Sequence, residues 1–188
     1  MKKNYTSLFK IRNIVLTVFS LFIFNIIIGQ NSNLIQVSES DFETGQLNRK
    51  SEKGSVVLSR SNNVEKNNNQ RFFEIANAKV PTMYVDKGNV RKVSEGNKPI
   101  KLKSNDLQLN SLLNSKNEMF ESVELIIVKL NQQSDLNKSI NVSKLTEFKK
   151  LKYIFVKCNF ECSSSQIQQV ILNTNQDIIV YYIVTKQS

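Results

Sequence analysis

"VELIIVKLN" at Val123–Asn131 and "LKYIFVKCN" at Leu151–Asn159 begin 28 residues apart and share the frame I-x-V-K-x-N. Superposing them sets Ile126 on Ile154, Val128 on Val156, Lys129 on Lys157 and Asn131 on Asn159. Between them, "INVSKLTEFKKLK" puts Ile140 or Val142, Leu145, Phe148 and Leu151 at three-residue steps. That stripe suits a short helix or 3₁₀ segment lying behind the strands. A strand, a helix-length crossover and a second strand make parallel neighbours. The expectation is an α/β fold in which Ile126, Val128, Ile154 and Val156 point into one shared interior.

The alternate positions point the other way. Leu125, Ile127 and Lys129, then Tyr153, Phe155 and Lys157, form a candidate interaction face of apolar, aromatic and basic side chains. Tyr and Phe are effective interface anchors once desolvated. The competing use of this face is as a seat for the N-terminal half of the chain.

A third unit follows. In "CSSSQIQQVILNTNQ", Ser163–Ser165 can cap a helix whose buried stripe is Ile167, Val170 and Ile171. "DIIVYYIV" at Asp177–Val184 is a strand, aligned on its first residues with Glu124 onward, and it lacks the closing Asn. Read as L-x-x-L-x-L-x-x-N, the first two segments fill every position, and this resembles the leucine-rich repeat frame. Its period of 20–29 residues admits the observed 28. The resemblance implies a short leucine-rich-repeat-like stack of parallel strands, with each Asn satisfying backbone groups where the chain turns off its strand. A small open α/β sheet of different connectivity is the alternative, because a stack normally needs three or more units.

Before this region the chain is polar and patchy. "SNNVEKNNNQ" at Ser61–Gln70 holds one apolar residue in ten and reads as a loop or linker. Val56–Leu58 precedes it. "RFFEIANAKVPTMYV" at Arg71–Val85 suits strands on either side of Pro81, or a short helix carrying Phe72, Phe73 and Ile75. "NKPIKLK" at Asn97–Lys103 alternates apolar and basic residues as a half-buried strand does. Leu107, Leu109, Leu112 and Leu113 suit a short helix. The expected organisation is a signal peptide at 1–29, a polar and partly disordered leader with short strands at 30–106, and a repeat-like α/β domain at 107–188.

The N-terminus carries Lys2, Lys3, Lys10 and Arg12, then the apolar run Ile14–Ile28, then Gly29 and Gln30, the build of a secretory signal. A run of that length spans roughly 22 Å as a helix, short of the roughly 30 Å core of a bilayer. The expected location is outside the cytoplasm: secreted, periplasmic or attached to the cell surface, with no stable membrane span after cleavage. An uncleaved Leu8–Ile28 anchor is the alternative. The Gly-Gln ending and the richness in Lys, Asn and Ile resemble secreted proteins of the Bacteroidetes group.

Loss of 1–29 lowers the formal charge from +10 to about +6. The remaining lysines are scattered and not joined to aromatic platforms, so no nucleic-acid partner is expected. Another protein, or the cell surface, is the expected partner. Histidine is absent, which excludes a His-containing triad. The carboxylates, such as Asp86, Asp106, Glu118, Glu121 and Glu124, form no recognisable pair, and phosphate-loop and nucleophile-elbow motifs are missing. No enzymatic activity, metal or cofactor is therefore expected; the function expected is a structural or protein-interaction module, with an enzyme of unrecognised motif as the alternative. Cys158 and Cys162 are close enough for a local disulfide in an oxidising compartment. Reduced structural thiols and a redox or metal pair are the alternatives, although Cys-x-x-x-Cys is not the thioredoxin-type spacing.

Overall fold

A computed structural model describes residues 33–47, 62–94, 96, 98–109, 112 and 117–185. The expected signal at 1–29, the cluster Val56–Leu58 and Leu113 lie outside the described residues. In chain order the elements are β1 (Leu34–Gln36), α1 (Glu39–Thr44), α2 (Asn62–Asn77), β2 (Thr82–Asp86), β3 (Asn89–Ser94), β4 (Lys101–Ser104), β5 (Leu125–Leu130), β6 (Ile140–Asn141), β7 (Tyr153–Cys158), α3 (Ser164–Val170), β8 (Ile171–Leu172) and β9 (Ile179–Val184). Short 3₁₀ turns cover Glu118–Ser122, Gln133–Asn137 and Val142–Lys144.

Among the described residues, seven strands form one sheet in the order β1-β9-β7-β5-β4-β2-β3. Every neighbouring pair is parallel except the β2–β3 hairpin. That hairpin turns through Lys87 and Gly88 at φ 47° and 70°. Two successive positive φ values are what a tight hairpin turn requires. From β2 onward each new parallel strand is laid beside the last, through β4, β5, β7 and β9. β1 then closes the far edge, pairing Leu34 with Val180. β6 and β8 form a second, two-stranded parallel ladder, Ile140 against Ile171.

Ile126 lies opposite Ile154 and Val128 opposite Val156, in parallel register. These four belong to one buried cluster with Val142, Leu145, Phe148, Ile167 and Val170 from the crossovers. The three-residue stripe does line the back of the strands, although part of it is the strand β6. α3 starts where the serines suggested. The Ser163 hydroxyl accepts from the Gln166 amide, and the Gln166 side chain accepts from the Ser163 amide. This reciprocal cap satisfies two orphan donors of the first turn.

Three expectations are corrected. The boundary at 106/107 cuts through a continuous sheet: β4 pairs with β5, β1 pairs with β9, and Ser32–Ser188 is one compact unit. The supposed linker Ser61–Gln70 is helical from Asn62. Asn is a weak helix former, but these residues continue directly into Phe72, Phe73, Ile75 and Ala76, which are buried against the sheet. Tertiary packing of that stripe outweighs local propensity. Lastly, Ile179, not Ile178, stands opposite Tyr153 and so aligns with Leu125. The alignment that began at Asp177 was one residue out of register, and one residue exchanges the two faces of a strand.

Candidate functional site

The face expected to receive a partner does not lie open over most of its extent. Leu125, Ile127, Tyr153 and Phe155 are all buried, and with Tyr181 and Ile183 they form a second core beneath α1 and α2. Phe72 of α2 stacks on Tyr181 with ring centroids 3.8 Å apart and planes 9° from parallel. Its edge meets Phe155 at 5.2 Å and 86°. Phe42 of α1 stacks on Phe155 at 5.3 Å. Burial on both faces accounts for the near-continuous apolar character of β5, β7 and β9.

Polar contacts fix α2 across the strands. The Tyr181 hydroxyl donates to Asn69 Oδ1 at 2.6 Å. Arg71 donates through Nη2 and Nε to the two oxygens of Glu124, at 2.9 and 3.2 Å. That forked pairing with Glu124 raises the Arg71 pKa. At the C-terminus of α2, the buried Lys101 ammonium donates to the carbonyls of Ile75, Ala76 and Ala78 at 2.9, 3.3 and 3.0 Å. A cation there satisfies orphan carbonyls and meets the negative end of the helix dipole. Burial pushes the Lys101 pKa down to about 8, helped by repulsion from Lys103 and Lys157.

The two lysines of the expected face are the part that α1 and α2 leave uncovered or half-covered. Lys129 and Lys157 stand opposite each other in the β5–β7 ladder. Lys103 of β4 pairs with Ile127, one step diagonally from Lys129. Lys103 and Lys129 are exposed, and Lys157 is half-buried. Its ammonium sits 4.7 Å from the ring centre of Phe42 and 5.2 Å from that of Phe155, within cation–π range. Burial lowers the Lys157 pKa, and Lys103 and Lys129 lower it further. The three lysines line a cavity of about 490 Å³ at the C-terminal ends of the strands, with Tyr84, Asp86 and Arg91 on its far side. Lys103, Tyr84 and Arg91 were not among the residues expected from sequence. The alternating basic positions of "NKPIKLK" were the available signal for Lys103, but only the sheet register sets it beside Lys129.

Opposite the strand starts, a row of side chains closes the strand ends. Asn159 Nδ2 donates to Asn131 Oδ1 at 2.9 Å, and Asn131 Nδ2 donates to the Asn105 carbonyl at 3.1 Å. Thr185 takes the corresponding place after β9, its hydroxyl donating to the Cys158 carbonyl at 3.1 Å and to Asn159 Oδ1 at 3.4 Å. Asn131 is also tied to the next turn, because its backbone amide donates to the Asp135 carboxylate at 3.0 Å.

Cys158 and Cys162 are both free thiols, the first fully buried and the second half-buried. Burial raises the Cys158 pKa, and its hydrogen bond to Cys162 raises it further. Burial raises the Cys162 pKa too, against the opposing effect of the bond from Cys158. Both shifts favour unreactive thiols over a nucleophilic thiolate. The two thiols are unbridged in this structure.

Among the described residues no three His, Cys, Asp or Glu side chains are grouped to hold a metal, and no helix is long and apolar enough to cross a membrane. No protein-family model, curated protein or solved structure matches the chain.

Proposed function

We propose that this chain is an exported, non-enzymatic module with a structural or protein-recognition role, and that its sheet is a short leucine-rich-repeat-like stack. One observation carries the reading. Thr82, Lys101, Leu125, Tyr153 and Ile179 occupy the same level on successive parallel strands, at steps of 19, 24, 28 and 26 residues. The later steps fall in the leucine-rich repeat range, and the Asn131–Asn159 contact recurs at the repeat spacing. A stack of such units serves recognition by presenting a regular surface from a rigid ladder. With α1 and α2 seated on the strand face, partner contact falls to the strand ends around Lys103 and Lys129 and to the exposed edge strand β3. Its Arg91 and Lys92 oppose uncontrolled edge pairing.

Two measurements test the reading. Intact-mass analysis of the exported protein should show that residues 1–29 are missing, and a retained leader would refute export by a cleaved signal. Native-state hydrogen exchange on Val180→Ala should weaken protection first in β9 and β1, leaving β4 and β5 protected. Equal loss across all strands would contradict nearest-neighbour stacking.

A further inference from the structure

The cavity between β2 and β7 gathers three like charges. Lys129 and Lys157 are cross-strand neighbours, and Lys103 is on the adjacent diagonal. Among the described residues none of the three pairs with a carboxylate. The one carboxylate lining the cavity, Asp86, lies 3.5 Å from the Arg91 guanidinium. Like charges held this close repel, and a folded protein that keeps them exposed forgoes stability. By contrast, Lys101, on the same strand as Lys103, is fully used inside the fold by its three carbonyl acceptors. Lys157 is held by the Phe42 and Phe155 rings, so its charge is positioned at the cavity wall and does not sweep through solvent.

The shape suits a small ligand. About 490 Å³ falls within the range of small-molecule sites. Buried Ile127 contributes to the lining, and Tyr84, 39% exposed, offers an aromatic wall. Ammonium groups act as compact point charges, and three of them around one cavity suit a multiply charged oxyanion such as a phosphate or sulfate group. We propose that this cavity binds a phosphate or sulfate ester, with the ester group among Lys103, Lys129 and Lys157 and its organic part against Tyr84. The site does not depend on the repeat reading and stands if that reading fails.

The test is calorimetric titration of the full chain with inorganic pyrophosphate and, separately, inorganic sulfate, against sodium chloride at matched ionic strength. Saturable binding of either probe beyond chloride is expected, and the probe that binds identifies the ester class. Lys103→Gln and Lys129→Gln should each weaken that binding roughly tenfold or more, as loss of a charge-assisted contact does. Lys144→Gln, at an exposed lysine on the Val142–Lys144 turn, should leave it unchanged. Without probe, Lys129→Gln should melt at or above the parent temperature, because a repulsion has been removed. Four results overturn the proposal: no saturation by either probe, unaltered affinity in both cavity variants, an equal loss in Lys144→Gln, or a Lys129→Gln melting point several degrees below the parent. The last would assign the lysine to holding the fold.

Discussion

Replacing Lys101 by Met tests what holds α2 over the strand face. The side chain is 3% exposed, and Met keeps most of its length while removing the ammonium. At neutral pH two effects oppose each other. Three helix-end carbonyls lose their donor, and an unsatisfied buried acceptor costs about 1–3 kcal/mol. Against this, the variant no longer buries a charge. The Lys101 pKa falls from 10.5 to about 8 on folding, which at about 1.4 kcal/mol per unit is at most about 3.4 kcal/mol. Three acceptors at that cost, less the relief of the buried charge, leave a net loss at pH 7 of roughly 0–6 kcal/mol, so the pH dependence is the sharper observable. Between pH 8 and 10.5 the unfolded chain holds the Lys101 proton and the folded chain releases it, so parent stability from this group rises with pH. The parent should gain about 2 kcal/mol on the variant between pH 7 and 9.5. Urea unfolding of both proteins, followed by circular dichroism across that range, measures the gap, and contributions from Cys158 and the tyrosines cancel in the difference. A gap that stays constant or narrows would refute the assignment of a buried, charge-strained Lys101.

Further expectations follow from the same contacts. Phe155→Ala should cost about 3–5 kcal/mol, as other large-to-small changes under full burial do, and Phe155→Glu should abolish the cooperative melt; near-parent melting of Phe155→Glu would mean the face is open. Asn131→Ala and Asn159→Ala should each cost about 1 kcal/mol, and the double variant should cost less than their sum, since both remove one shared bond; strict additivity in a double-mutant cycle would sink the ladder. Cys162 should react with a thiol reagent before Cys158, which should resist until the protein unfolds. Because the folded chain keeps the Cys158 proton after the unfolded chain loses it near pH 9, stability from this group falls as pH rises past that value, and a decline that persists undiminished in Cys158→Ala would assign it elsewhere. For Asp135, burial raises the pKa but the Asn131 and Gln132 amides and Lys138 outweigh it and lower it; its stabilisation should be present at neutral pH, be lost as pH falls below about 3.8, and be missing from Asp135→Asn, as acid titration of unfolding would show.

The parallel core was legible because it is written in local terms. Ile126, Val128, Ile154 and Val156 follow period two, the crossover follows period three, and Ser163 with Gln166 forms a cap within four residues. The interior positions could be read without knowing what else the chain did. The N-terminal half was harder. Asn62–Gln70 carries too little apolar character to announce a helix, and β1 is three residues long. Each becomes stable only by pairing or packing with residues 100 or more positions away, as Asn69 does with Tyr181 and Leu34 with Val180. The candidate site divides the same way: Lys129 and Lys157 followed from the repeat, whereas Lys103 and Tyr84 joined them only through the β2–β4–β5 register.

By itself the sequence determined that two apolar strands recur in one frame, run parallel and turn Ile126, Val128, Ile154 and Val156 inward. It could not determine what the other side of those strands meets, because Leu125, Tyr153 and Phe155 would look the same under a helix as in a binding face. Tertiary structure decided that question by seating Phe42, Phe72 and Phe73 on them and leaving the lysines at the strand ends uncovered or half-covered. Burial of those rings is favourable in proportion to the apolar area removed from water, a gain set by which distant surfaces meet and so not written in any local stretch of sequence.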